Sequence, residues 1–451
     1  MKKFRITALC AAMLAGACLQ ATQAQPAQVQ AIHIFDSTNG TAPVAGLVAG
    51  QDGNFYGTTT NGGTNGGYGT VFKVTTDGVL TTLVSFNNTN GEDPQAGLTQ
   101  GSDGNFYGTT VGGGTNGGYG TVFKVTTNGL LTSLVSFAHT NGAFLYSGLT
   151  MGNDGNFYGT TFFDSIYSFG TVFKITTNGA LTTLVSFNNT NGVNPIAGLT
   201  LGSDGKFYGT TASGGTNGGW GTVFKVTTNG VLTSLVSFNN TDGAYPRGTL
   251  IAGNDGNFYG TTYFGGSNSL GTVFKVTTNG VLTSLVSFNG ANGANPGAGL
   301  TLGSDGKFYG TTRYGGGNDL GTAFQMTTNG VLTTLVSFNG TNGANPYAGW
   351  TPGNDGDFYG TTSGGGGGNG TNGAVVKLVV PPVFGPVSIS NHAPQISIKG
   401  LARPALQIQA TTNLTASWSV LTNLVFTNGI GQFTDPAATD ASQKFYRAIV
   451  Q

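Results

Sequence analysis

The sequence predicts an all-β fold: a seven-bladed β-propeller closed by an N-terminal strand, followed by a smaller β module. Three observations predict it. The phrase "DGNFYGTT" or a near copy occurs seven times, with its aspartate at Asp52, Asp103, Asp154, Asp204, Asp255, Asp305 and Asp355, a period of 50 or 51 residues. That period suits a propeller blade and is too long for a β-helix rung. Each unit divides into four strand-like cores, as in "GLTQG", "NFYGTT", "GTVFKVT" and "LTSLVSF" of residues 97–147, rich in residues that suit a pleated surface. The array is also out of phase with the chain. Its seventh unit stops at "GAVVKLVV" (373–380) without a fourth strand, while "AIHIFDSTNG" (31–40) aligns with "TLVSFNNTNG" and stands alone before the first unit. The N-terminal strand is therefore expected to complete the seventh blade and lock the ring.

Taken in order, residues 1–24 read as an export signal: Lys2, Lys3 and Arg5, the apolar run "ITALCAAMLAGACL", then "ATQA" with Ala24 at the cleavage position. The expected location is secreted or cell envelope. A lipid-attachment box ending at Cys18 is the alternative, although Ala15 stands where such boxes usually carry Leu. Both cysteines, Cys10 and Cys18, lie in this segment, so a processed chain is expected to hold no disulfide and no Cys-ligated metal.

The propeller is expected over residues 31–380. In each unit "DG" joins the first two strands and "NG" or "DG" the last two, dipeptides that supply the positive φ of tight hairpins. A Gly-rich loop such as "VGGGTNGGY" joins the second and third. One four-stranded blade cannot bury both faces alone, so the units must stack around an axis. From Val383 the repeat ends, and "PQISIKG", "ALQIQATTN", "SWSVLTNLVF", "GQFTD" and "KFYRAI" read as the strands of a small immunoglobulin- or fibronectin-like sandwich, residues 383–451. Trp418 and Tyr446 are its expected aromatic core.

The pattern "DGNFYGTT…GTVFKVTTNG…LVSF" resembles the GloVer tandem repeat of the choice-of-anchor exported bacterial proteins and, more distantly, NHL-type propeller blades. The resemblance covers residues 31–380. It implies an exported protein whose repeats end in one of several C-terminal modules, and it carries no catalytic residues.

Composition excludes some partners. With 17 basic and 17 acidic residues and only 8% charged, the chain has no net field to draw nucleic acid or an anionic membrane. No apolar run beyond the leader spans a bilayer, and a monomer is expected. Chemistry is sparse too. Glu92 is the only glutamate, His33, His139 and His392 fall far apart, and the first strands of the units contain no acid to ligate an axial metal. The seven turn aspartates are read as structural, bonding nearby backbone N–H groups. Asp355 and Asp357 are a weak calcium candidate. Lys73, Lys124, Lys174, Lys225, Lys275 and Lys377 recur in the third strands and are read as lying along strand faces towards the turn aspartates. No cofactor or metal and no catalytic constellation is expected.

In a near-uniform repeat, positions that differ between copies point to binding. After the Pro-containing turn leading to each first strand stand Val44, Gln95, Tyr146, Ile196, Arg247, Gly297 and Tyr347, near the mouth of an axial channel. The loop between second and third strands adds "FFDSIYSF" (162–169), Trp220, Tyr263 and Phe264, and Arg313 and Tyr314. The expected ligand residues are Gln95, Tyr146, Arg247, Tyr347, Phe162, Trp220, Tyr263, Phe264, Arg313 and Tyr314. Rings with amides suit a neutral polar ligand such as a glycan, or an extracellular protein. The expected function is a non-enzymatic exported binding or scaffold protein. The alternatives are a polysaccharide-acting lyase or hydrolase and a purely structural envelope or matrix component.

Overall fold

The structure is a computed structural model that describes residues 8–12, 26–164, 169–367, 372–390, 393–402, 406–412, 417–426, 430–435 and 444–450. The chain is all-β: among the described residues the sole helix is a single 3-10 turn, His139–Asn141. Between Gln28 and Val379 the strands form seven antiparallel sheets, six of four strands and one of five, which resemble propeller blades. In the first sheet the order is Val48–Ala49, Phe55–Thr59, Thr70–Val74, Leu80–Ser85. The next sheets repeat this order to Leu332–Ser337, the one exception being an extra strand, Ala244–Pro246, on the fifth.

The seventh sheet is closed by the opposite end of the chain. Gln28–Ile34 pairs antiparallel with Ala374–Val379, Gln28 opposite Val379 and Ile34 opposite Ala374. The expected N-terminal closure is therefore present as strand pairing, and the strand begins three residues earlier than the alignment placed it.

The repeated phrase is the adhesive between sheets. Each Tyr packs on the Phe of the next copy: Tyr56 on Phe106 at 4.0 Å, Tyr107 on Phe157 at 4.3 Å, and so on to Tyr309 on Phe358 at 4.5 Å. Tyr359 then packs on Phe55 at 4.2 Å, joining last sheet to first. Such ring pairs add about 0.5–1.5 kcal/mol each beyond the area they bury. Glycine follows because the second strand is approached closely from both sides. A Cβ at Gly57 would stand 2.6 Å from Phe72 Cζ and 2.8 Å from Leu47 Cδ2. Short inner strands are tied by threonine: Thr99 Oγ1 donates to the Leu149 carbonyl at 2.5 Å, Thr150 to Leu199 at 2.6 Å, and Thr351 to Leu47 at 2.6 Å across the closure.

The turn aspartates do more than bond backbone. Asp154 Oδ1 accepts from the Asn156 N–H at 3.2 Å, and its Oδ2 accepts from the Tyr158 hydroxyl at 2.8 Å. That second bond, made in all seven sheets, satisfies the one polar atom of a tyrosine otherwise sealed between sheets. Two strand lysines reach these carboxylates, Lys124 to Asp103 at 3.0 Å and Lys377 to Asp355 at 2.7 Å. Lys377 also holds Asp357 at 3.0 Å, so the calcium candidate pair is engaged by an ammonium group.

After Val383 two further sheets share one core. Val383–Ser390, Ala393–Lys399 and Ile430–Thr434 form one. Leu406–Thr411, Ser419–Leu424 and Lys444–Val450 form the other, whose free edge carries Ala8–Ala12 of the expected leader. The remainder of the leader, including Cys18, lies outside the described residues, as does His392. Tyr446 is fully buried and donates to Asp435 at 3.0 Å. Trp418 is not core as expected: it is part-exposed and covered by the Arg447 guanidinium at 4.4 Å. Leu401 tucks into the seam between sixth and seventh sheets, where the Ala402 N–H donates to Ser304 Oγ at 2.7 Å.

Candidate functional site

All seven sheets contribute the segment that enters their first strand to the wall of one central cavity of about 700 Å³. Most of that wall is small and apolar, because Gly-Leu and Ala-Gly steps such as Ala45–Leu47 and Ala197–Leu199 bring backbone to the centre. The larger polar and aromatic groups of its wall come from positions that vary between copies. Of the residues singled out from the sequence, Gln95, Tyr146, Phe162, Arg247 and Tyr347 line it; Asn194 and Tyr245, which were not singled out, line it too.

The remaining expected residues divide. Tyr263, Arg313 and Tyr314 join the wall through Arg247 and Tyr347. Arg247 Nη1 donates to the Tyr347 hydroxyl at 2.7 Å while its guanidinium lies 4.5 Å over the Tyr263 ring. Arg313 mirrors this, lying 5.0 Å over the Tyr347 ring, 5.1 Å over Tyr314, with Nη1 3.5 Å from the Tyr263 hydroxyl. Trp220 and Phe264 stand apart from the cavity wall. Trp220 covers its own Gly-rich loop, and Phe264 is exposed, edge-on to Tyr245 at 5.8 Å. Phe162 meets Tyr146 edge-on at 5.2 Å. Residues 165–168 of the "FFDSIYSF" loop lie outside the described residues.

Besides Asn194 and Tyr245, Asp93 was missed. The position before each turn proline or its replacement is left-handed in every sheet: φ is 51° at Ala42, 60° at Asp93, 59° at Phe144, 55° at Asn194 and at Tyr245, 53° at Asn295 and 52° at Asn345. Asn tolerates that conformation, and three of these asparagines donate Nδ2 to a carbonyl of the preceding sheet's loop: Asn194 to Phe162 at 3.1 Å, Asn295 to Tyr263 at 2.9 Å, Asn345 to Arg313 at 3.2 Å. Asp93 stands in the same place with a carboxyl that has no amide hydrogen to give. Gln95 donates to its Oδ2 at 2.9 Å, and Oδ1 is buried without a partner. Burial pushes the Asp93 carboxyl above the usual carboxylate range, against the Gln95 bond and with the help of neighbouring Glu92. The Tyr146 phenol is pushed up in turn, by burial and then by Asp93. The signal was present in the sequence as an Asp among Asn residues at one repeat position.

The fold and this cavity define an all-β protein of propeller-like repeats with a central site. The chain belongs to the Gloeobacter/Verrucomicrobia repeat family, whose model matches residues 15–201 and 165–376, in line with the tandem repeat read from the sequence. No curated protein matches it. Among solved structures it is similar to a candidate 6-phosphogluconolactonase of Bacteroides fragilis, 18% identical over 84% of this chain and 96% of that one, TM-score 0.46. It is also similar to a gluconolactonase of Xanthomonas campestris, 12% identical over 58% and 79%, TM-score 0.38. A puromycin hydrolase matches at 11% identity over 83% and 62%, TM-score 0.46. The expectation of a non-enzymatic binding or scaffold protein is corrected here: these neighbours are described as enzymes and stand with the hydrolase alternative. At such identities the likeness concerns the fold.

Proposed function

We propose that the chain is an exported enzyme acting on a polysaccharide, a hydrolase or lyase whose substrate enters the central cavity. In this reading residues 1–24 are the leader, 31–380 a seven-bladed propeller and 383–451 a sandwich module. The observation that carries it is Tyr146, a phenol on the cavity wall that is pushed up by burial and then by Asp93, a carboxyl that burial itself pushes up. Tyr146 supplies a proton donor to a glycosidic oxygen, and the nearby Asp93 carboxyl tunes its titration. Phe162 and Tyr245 offer rings to sugars, and Gln95 and Asn194 offer amide groups.

The test uses the repeat as its own control. Asn occupies the position of Asp93 in three other sheets, so Asp93→Asn is compatible with the fold. Purified protein incubated with a panel of polysaccharides is expected to release product, read as new reducing ends and as unsaturated-sugar absorbance. Tyr146→Phe is expected to lose roughly a hundredfold in rate, and Asp93→Asn to shift the pH profile without lowering the melting temperature. Absence of product from every polysaccharide, or Tyr146→Phe as active as wild type, overturns the reading.

A further inference from the structure

Resting on the central cavity as substrate site, we infer that its mouth carries a subsite for an anionic sugar, one bearing a carboxylate or a sulfate ester. The four residues Arg247, Tyr263, Arg313 and Tyr347 form a reciprocal cluster. Each guanidinium bonds one phenol and lies over the ring of the other: Arg247 bonds Tyr347 and covers Tyr263, while Arg313 bonds Tyr263 and covers Tyr347. Stacking on ring faces and hydroxyl bonds fix both planes, which is how an arginine fork is held ready for an oxyanion.

The cluster is charged and uncompensated. A guanidinium has five N–H donors, and among the described residues each of these two spends one, on a tyrosine hydroxyl. The Nε of Arg247 and that of Arg313 are both buried without a partner. Every ion pair among the described residues is made by a lysine, so no carboxylate neutralises either arginine. Two like charges held on the same two rings repel one another, and unsatisfied buried donors cost free energy. An anion drawn to the pair from the cavity offsets that repulsion. Arg247 and Tyr347 line the cavity, so the anion would sit where the chain of sugars enters. The rings and amides read from the sequence suggested a neutral polar ligand; the paired arginines add a local charge for the ligand to meet.

The probes are tetragalacturonic acid, a sulfated oligosaccharide of the same length and a neutral galactose oligosaccharide, each titrated calorimetrically into the full chain at low and at physiological salt. The expected result is binding of at least one anionic probe, weakened by salt, with a loss of roughly tenfold or more in Arg247→Gln and in Arg313→Gln. Which anionic probe binds identifies carboxylate or sulfate as the group. Arg→Lys at each position keeps the charge and loses the fork, and is expected to recover only part of the affinity. Melting curves of the variants separate binding loss from unfolding, and the salt dependence of wild type tests the inference should a variant fail to fold. Equal binding of neutral and anionic probes, or anionic binding untouched by both Gln variants, overturns the subsite. So does the absence of binding by either anionic probe. Cleavage of a neutral polysaccharide in those cases would leave the enzymatic reading standing without it.

Discussion

Phe35 tests the closure of the ring most directly. It follows the N-terminal strand, its N–H donates to the Gly373 carbonyl at 3.0 Å, and it is 2% exposed. Its ring meets Phe72 of the first sheet edge-on at 5.1 Å, and it shares a core cluster with Tyr359 and Val375 of the seventh sheet. Phe35→Ala therefore opens a hole at the one seam that joins the two ends of the array. Phe→Ala at a sealed site costs about 3–5 kcal/mol, a large share of the roughly 5–15 kcal/mol that holds a typical domain together. Phe187, fully buried against Phe224 at 5.1 Å, is the same position at an interior seam and is the control. Urea unfolding followed by tyrosine fluorescence is expected to give similar losses for the two variants. Only Phe35→Ala should also speed proteolysis and hydrogen exchange within Gln28–Ile34. A Phe35→Ala protein within about 0.5 kcal/mol of wild type, with that strand still protected, would refute the account of closure.

Two further outcomes follow from the repeat chemistry. In six sheets a buried threonine pair bonds hydroxyl to hydroxyl at 2.8 Å, as between Thr59 and Thr70. The seventh has Ala374 in place of the second, which leaves Thr362 Oγ1 buried without a partner. Ala374→Thr is expected to stabilise by about 0.5–1.5 kcal/mol, read as a raised urea midpoint; a lowered midpoint would show that the seventh sheet has no room for the hydroxyl. The turn aspartates set the acid limit. Burial raises the carboxyls of Asp52, Asp154 and Asp255, but bonds from the neighbouring Asn and Tyr outweigh it and leave each below its ordinary value. A depressed carboxylate contributes stability that is present above the unfolded pKa, about 4, and is lost as pH falls through the folded one. Stability measured by urea midpoint is expected to fall steadily below about pH 4, with a shallower slope in Asp154→Asn; an unchanged slope would remove the aspartate from the account.

The repeat itself was legible because each copy states its own local physics. "DG" demands a positive φ, found at 77° in Gly53 and 77° in Gly104, and "TVFKV" is rich in residues that suit a strand, buried here on both faces except at the lysine. The missing fourth strand and its N-terminal substitute were also readable, since they are a matter of counting. Tyrosine in "FYGTT" says no more by itself than that it suits a pleated surface. Its stacking on the phenylalanine of the next unit, some fifty residues away, and its bond to the turn aspartate needed the sheets set side by side.

The site divides the same way. Variation between copies named Gln95, Tyr146, Arg247, Phe162 and Tyr347, because packing asks each unit for the same residue and the cavity does not. It also named Trp220 and Phe264, which stand off the cavity wall, because variation alone cannot tell a loop that covers itself from one that faces the centre. Sequence by itself determined the unit, its turns, its period and the end that completes it, all of which depend on contacts within one copy or on copy number. Tertiary structure alone decided that Arg247 and Tyr347, separated by 100 positions, share a hydrogen bond, and that Asp93 takes an asparagine's place beside Tyr146. Those meetings depend on how far each sheet rotates about the common centre, a quantity set by side-chain packing between sheets and written in no single repeat.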